Sequence, residues 1–210
     1  MRRPEFIARQ AACPSGLLGR LLGRIMALET AEANRVALQL LQILPGDHVL
    51  EIGFGHGATV AAIAAAAERG FVAGVDVSAE MLCLASRRNR AGVARGLVEL
   101  RQGSAEDLPY GDGRFDKVLS VHTLYFWQEP ERALVEIRRV LKATGRLVLA
   151  WRHDPGAVRS FPESVYRFQD EDGVRRLLQS AGFPDPRIER RASHGAILHF
   201  AVALPEEAEP

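Results

Sequence analysis

The 210 residues are enough for one sizeable α/β domain and too few for two large ones. Apolar residues make up 47% and charged residues 25%, with a formal net charge of +1. That balance gives an ordinary globular chain and no global field to recruit nucleic acid or an anionic membrane. Two cysteines without a CxxC spacing, Cys13 and Cys83, argue against a disulfide framework or a structural zinc, and fit a reducing cytoplasm.

The basic start Met1-Arg2-Arg3 is followed by Pro4, Glu5, Arg9 and Gln10, which interrupt the apolar core a signal peptide needs. No uncharged apolar run reaches about 18 residues, so no membrane span is expected. Residues 14–44 read as helices, with the pairs Leu17/Leu18, Leu21/Leu22 and Ile25/Met26 recurring every four residues. Arg20 and Arg24 flank that stripe, as on a lid helix, an interface or an interfacial membrane helix. Asn34 and Arg35 stand at a helix start expected to face the site. Pro45-Gly46-Asp47 then turns the chain into a strand.

From residue 48 strands and helices alternate. Strands are expected at 48–53, 71–76, 97–103, 115–121 and 145–152, and helices at 58–69, 79–92, 129–143 and 170–181. Ser78 is placed to cap the second of these helices. A hairpin over 187–193 and 196–204, turning at His194-Gly195, closes the domain. The alternation implies right-handed βαβ units and a seven-stranded, mostly parallel Rossmann-like sheet with helices on both faces and the last strand antiparallel. The expected division is a helical lid over 1–44, the α/β domain over 45–204 and a frayed acidic tail over 205–210.

In such sheets ligands sit beyond the carboxyl ends of the strands. After the first strand comes "EIGFGHGA", in which Gly53, Gly55 and Gly57 allow positive φ and close approach to the backbone. The next helix aims its free N–H groups at the same crevice. These glycines alone also satisfy a dinucleotide fingerprint. Asp76, ending the second strand, is suited to accept from ribose hydroxyls of either kind of ligand. Glu51 separates them: a carboxylate there favours a cation and opposes a pyrophosphate.

With "GSAEDLP" (103–109), "SVHTLYFW" (120–127) and "EIRRVLKATGRLVLAWR" (136–152) added, the chain resembles the class I S-adenosylmethionine-dependent methyltransferases. The likeness is to the small-molecule type, of the ubiquinone/menaquinone-methyltransferase kind, and covers about residues 45–204. It implies S-adenosylmethionine as cofactor, S-adenosylhomocysteine as product, and metal-independent transfer to a small molecule by direct displacement. It implies that Glu51, Gly53, Gly55 and Val121 surround the methionine part, that Asp76 holds the ribose, and that Val77, Met81, Ser104, Ala105 and Glu106 surround the adenine. It departs from the family at Ser104, where a carboxylate is frequent, and at Lys142-Ala143-Thr144-Gly145, a structural turn.

His122 is the candidate general base, and His122, Tyr125, Phe126, Trp127, His153 and Tyr166 are the candidate acceptor pocket. The place of an Asp/Asn-Pro-Pro-aromatic motif reads Val121-His122-Thr123-Leu124, and no basic stripe appears, so a nucleic-acid substrate is not expected. Other readings are a lipid-headgroup methyltransferase at a membrane surface, a non-catalytic cofactor-binding partner subunit, a dinucleotide oxidoreductase, and a homodimer built on the N-terminal helix.

Overall fold

A computed structural model describes residues 4–16, 19, 30–153, 161–193 and 196–206. Most of the expected helix over 14–28, the turn at 194–195 and most of the acidic tail lie outside the described residues. Among the described residues, seven strands form one sheet in the order β3-β2-β1-β4-β5-β7-β6. These are β1 His48–Ile52, β2 Phe71–Asp76, β3 Val98–Gln102, β4 Phe115–Val121, β5 Leu141–Arg152, β6 Arg187–Ser193 and β7 Ala196–Ala203. β1 to β5 run parallel to their neighbours, and β7 enters antiparallel between β5 and β6. This is the expected mostly parallel doubly wound sheet, with its order reversing between β1 and β4. That reversal opens a crevice at the carboxyl ends of the two strands.

The helices are α1 Glu5–Ala12, α2 Ala31–Leu41, α3 Ala58–Ala66, α4 Ala79–Arg88, α5 Arg90–Ala94, α6 Pro130–Val140 and α7 Glu171–Ser180. They cover both faces because each strand alternates its apolar residues. Leu50 and Ile52 join the core under α6 and α7, whereas Val49 joins the core under α2, α3 and α4. Leu147, Leu149 and Trp151 of β5 take the first face, and Val148 and Ala150 the second. Fully burying side chains of this size stabilises by about 1.5–3 kcal/mol each. Glu51 shares Val49's parity, so the alternation that builds the core also turns a carboxylate toward α3.

Three expected boundaries shift. The helix expected over 79–92 divides at Asn89, whose side-chain amide donates to Gly57 O (3.0 Å) and Ala85 O (2.9 Å). The helix expected to reach 143 stops at Val140, because Leu141 already pairs with Phe115 in the sheet. Pro205 and Glu206, read as frayed, are tied down: Pro205 is buried and Glu206 N donates to Gly182 O. α1 falls within the expected 1–44 lid but ahead of the 14–44 stretch read as helices; its Glu5–Arg9 ion pair spans one helical turn.

Candidate active site

A cavity of about 380 Å³ occupies the crevice at the ends of β1, β2 and β4. Its floor is the loop from β1 into α3. Gly53, Gly55 and Gly57 all have positive φ (76°, 52° and 78°). A Cβ on Gly53 would collide with the Thr123 methyl, so this glycine also lets the loop after β4 close in. At Gly55 the Cβ position is open space, and the constraint is the left-handed backbone itself.

Two acids mark the β1–β2 end. Glu51 is 4% exposed; the Thr59 hydroxyl bonds its carboxyl, but Oε2 has no partner. Burial, and then the neighbouring Asp76, push its carboxyl well above the usual glutamate range. Asp76 accepts from Gly55 N through Oδ2 (2.8 Å) and from Ser78 N through Oδ1 (2.9 Å). Burial raises its carboxyl too, and the two backbone N–H groups partly offset that. A buried carboxylate oxygen with no partner, facing a cavity, fits a cationic group. Glu51 therefore fits the ammonium and sulfonium character of S-adenosylmethionine and does not fit a pyrophosphate.

Val77, Met81, Ser104, Ala105 and Glu106 all stand on the cavity wall. Val77 is 44% exposed, whereas Met81 is fully buried beneath it. The Ser104 hydroxyl donates to Glu106, and Glu106 also accepts from Gln128 N (2.8 Å). The hydroxyl is thus engaged within the loop. The N-terminal segment supplies the opposite wall through Ala11, Ala12, Cys13 and Pro14. Pro14 O accepts from Ser78 Oγ (2.5 Å), and the same Oγ caps α4 by accepting from Met81 N (3.2 Å). Burial and Asp76 raise the Cys13 thiol.

At the β4 end, Val121, His122, Phe126 and Trp127 line the cavity as expected. His122 has φ 59°, a left-handed conformation at a non-glycine residue. The kink is held by His122 N donating to Ala150 O (2.8 Å) and by the Ser120–Thr123 hydroxyl contact. It turns the chain out of β4 into the short helical turn Leu124–Phe126. Burial and the nearby Arg152 push the imidazole down to about 4, so the ring is neutral at physiological pH and a weak base.

Three expected pocket residues are not on the wall. Tyr125 points behind it, its hydroxyl 2.6 Å from His122 Nδ1. Burial holds that hydroxyl in its protonated form. Tyr166 packs on Tyr125, Phe126 and Phe168 with ring centroids 5.8, 4.9 and 5.4 Å away, in an aromatic block that backs the wall. His153 faces elsewhere, its carbonyl accepting from His199 Nε2 (3.3 Å). Tyr125 and Tyr166 share one cause: the block collapses on itself, as large apolar rings do when partners are in reach.

Of the helix-start pair, Asn34 lines the cavity, whereas Arg35 is exposed and donates to Gln39. Sequence reasoning missed Thr59, His56 and the Ala11–Pro14 wall. His56 stands in the glycine loop, its Nδ1 accepting from Ala58 N (3.3 Å) and its ring held neutral by burial and Arg88. Its place between Gly55 and Gly57 was the available signal.

A doubly wound sheet with a glycine-lined exit from β1, and acids at the ends of β1 and β2, defines a class I methyltransferase architecture. A family model described as a methyltransferase domain matches residues 50–149. The chain is 32% identical to the uncharacterized methyltransferase YdaC of Bacillus subtilis (strain 168), over 80% of this chain and 89% of that one. It is 28% identical to a demethylmenaquinone methyltransferase of Tropheryma whipplei (strain Twist), over 85% and 84%. Among solved structures, a SAM-dependent methyltransferase from Aquifex aeolicus shares the fold, with a TM-score of 0.64 and 24% identity, over 81% and 88% of the two chains. The chain belongs to the class I methyltransferases, the family whose methyl donor is S-adenosylmethionine. Among the described residues, no helix is long and apolar enough to cross a membrane.

Proposed function

We propose that this chain transfers the methyl group of S-adenosylmethionine to a small-molecule acceptor by direct displacement, without a metal. The observation that carries the reading is Glu51: a buried carboxyl with an unpartnered Oε2 on the wall of a cavity of cofactor size. In this reading Glu51, Gly53, Gly55 and Val121 surround the methionine ammonium, and Asp76 accepts from the ribose. Val77, Met81, Ala105 and Glu106 enclose the adenine, with Ser104 acting through Glu106. Residues 1–44 serve as a lid over the 45–204 domain, held by the Ser78–Pro14 bond.

The donor is a sulfonium and supplies its own leaving group. The protein's work is to align acceptor, methyl and sulfur, and to keep water out. Glu51 and Asp76 orient the donor, and the Ala11–Pro14 wall excludes solvent. Phe126 and Trp127 give the acceptor a flat apolar wall. That wall, together with the likeness to a demethylmenaquinone methyltransferase, supports a planar aromatic acceptor over a lipid headgroup. His122 shapes the β4 end and, being a weak base, does little proton abstraction.

Calorimetric titration with S-adenosylmethionine and S-adenosylhomocysteine, with NAD as control, tests the reading. Micromolar binding of the first two, weakened at least tenfold in Asp76→Ala, supports it. Binding of NAD alone, or of none of the three, rejects it.

A further inference from the structure

His122 stands on the cavity wall and Tyr125 behind it. The Nδ1 edge of the imidazole therefore faces into the protein, and the Nε2 edge is left for the cavity. The Tyr125 hydroxyl lies 2.6 Å from Nδ1, and the atom that holds the proton decides what the ring can offer. Tyr125 is buried, and burial keeps its hydroxyl protonated. A phenol is a stronger acid than a neutral imidazole N–H, and an imidazole nitrogen is a stronger base than a phenol oxygen. The pair therefore forms with the Tyr125 O–H donating to Nδ1. The ring is neutral at physiological pH, so its single proton is on Nε2.

Both partners are held in place. The Tyr125 ring packs on Phe126 and Phe168, with centroids 5.0 and 5.2 Å away, and its carbonyl accepts from Arg167 N (2.9 Å). His122 keeps φ at 59° while its N–H donates to Ala150 O (2.8 Å). Glycine takes that backbone freely and other residues take it at a cost. The imidazole is present in spite of the cost, at a strand end that lines a ligand cavity, and this points to its use.

Resting on the methyltransferase reading above, we propose that Tyr125 is a positioning residue that fixes the His122 proton on Nε2, and that His122 donates it in a hydrogen bond to an oxygen of the acceptor. The site then selects planar acceptors that carry a lone-pair oxygen over hydrocarbons of the same shape. A hydrocarbon would leave the Nε2–H of a closed site unpaired. The bonded oxygen is a neighbour of the atom that takes the methyl, because a donor on the reacting lone pair would compete with the methyl for it. Phe126 and Trp127 cover the face of the acceptor, and His122 fixes its rotation in the plane, which a flat apolar wall leaves open. His122 removes no proton in this arrangement, since Nδ1 is filled and Nε2 is already protonated.

The test has three readouts on the full chain. The first is long-range proton–nitrogen NMR of the protein carrying nitrogen-labelled histidine, with His122 assigned through His122→Gly. At neutral pH His122 should carry its proton on Nε2 and a bare Nδ1; a proton on Nδ1, or on both, overturns the proposal. The second is titration of the chain, saturated with S-adenosylhomocysteine, with acetophenone and α-methylstyrene, which differ by an oxygen in place of a methylene. The ketone should bind about fivefold tighter and alone should move the Nε2 resonance, and His122→Gly should lose the preference. Equal affinity, tighter binding of the hydrocarbon, or binding of neither probe overturns it. The third reads Tyr125. A donated O–H stabilises the neutral ring, so Tyr125→Phe should raise the pH at which His122 gains its second proton, from about 4 in the parent, by about half a pH unit or more. Burial and Arg152, the other influences on that proton, stay in place. An unchanged or lower value removes Tyr125 from the positioning role. Absence of S-adenosylhomocysteine binding in the parent is a different failure, and sinks the methyltransferase reading itself.

Discussion

The two ends of the cavity are built by different means. At the β1–β2 end the acids Glu51 and Asp76 are fixed by short-range structure: strand parity, a glycine loop, and backbone N–H groups two residues or one strand away. At the β4–β5 end the wall residues Phe126 and Trp127 are backed by a ring block in which Tyr125 packs on Tyr166 and Phe168, from a segment distant in sequence. The first end is a backbone device with little freedom to vary. The second is a side-chain device, able to change acceptor without disturbing the donor.

Breaking the acidic end should have the largest effect. Glu51→Gln removes the charge but keeps the shape, and should weaken S-adenosylhomocysteine binding by about tenfold or more, measured by calorimetry. The same change should stabilise the empty chain. Because burial raises the folded Glu51 carboxyl above its ordinary value of 4.5, the folded chain holds a proton that the unfolded chain has released. Stability therefore falls as pH rises from 4.5 toward the raised value, and the full loss remains above it. Thermal melts of the empty protein should show the parent falling behind Glu51→Gln as pH rises through that window. Cofactor affinity of the parent should rise over the same range, while that of Glu51→Gln stays flatter. A parent melting above the variant at neutral pH contradicts this account of Glu51.

Gly53→Ala tests whether the backbone of that end is as constrained as the glycine loop implies. It places a Cβ against Thr123 at φ 76°, and should cost about 1–3 kcal/mol in denaturant unfolding. Ser78→Ala removes the cap on α4 and the bond to Pro14 together. About 1 kcal/mol of stability should be lost, and S-adenosylhomocysteine should dissociate faster in stopped-flow. A stability loss with unchanged dissociation would make Ser78 a cap and nothing more.

The smallest effects belong to His122. With φ at 59°, His122→Gly should fold about 1 kcal/mol more stably than His122→Ala. With its ring held down to about 4, a turnover–pH profile should lack a limb near the ordinary histidine value of 6.5. Such a limb, lost in His122→Ala, would restore it as a base.

Legibility in the sequence followed the same division. The sheet, its order of elements and the Glu51–Gly57 loop could be read directly, because period-2 alternation and glycines at strand exits are local signals. The wall residues Val77, Met81, Ala105 and Val121 came with the family resemblance. Tyr125, Tyr166 and His153 were misplaced because local sequence shows that rings are present and not which of them pack on one another. Ser104 was read against a missing carboxylate, whereas its hydroxyl turns to Glu106 two residues on. The Ala11–Pro14 wall escaped because its place against the strand ends shows only after long-range packing.

The most direct test of the central claim, that a buried acid at the end of β1 holds a cationic donor, is one paired titration. S-adenosylhomocysteine is titrated calorimetrically into the parent and into Glu51→Gln at neutral pH, with NAD as control. The account predicts micromolar binding to the parent, at least tenfold weaker binding to the variant, and no heat from NAD. Equal affinity in the two proteins, or binding of NAD in place of S-adenosylhomocysteine, would contradict it.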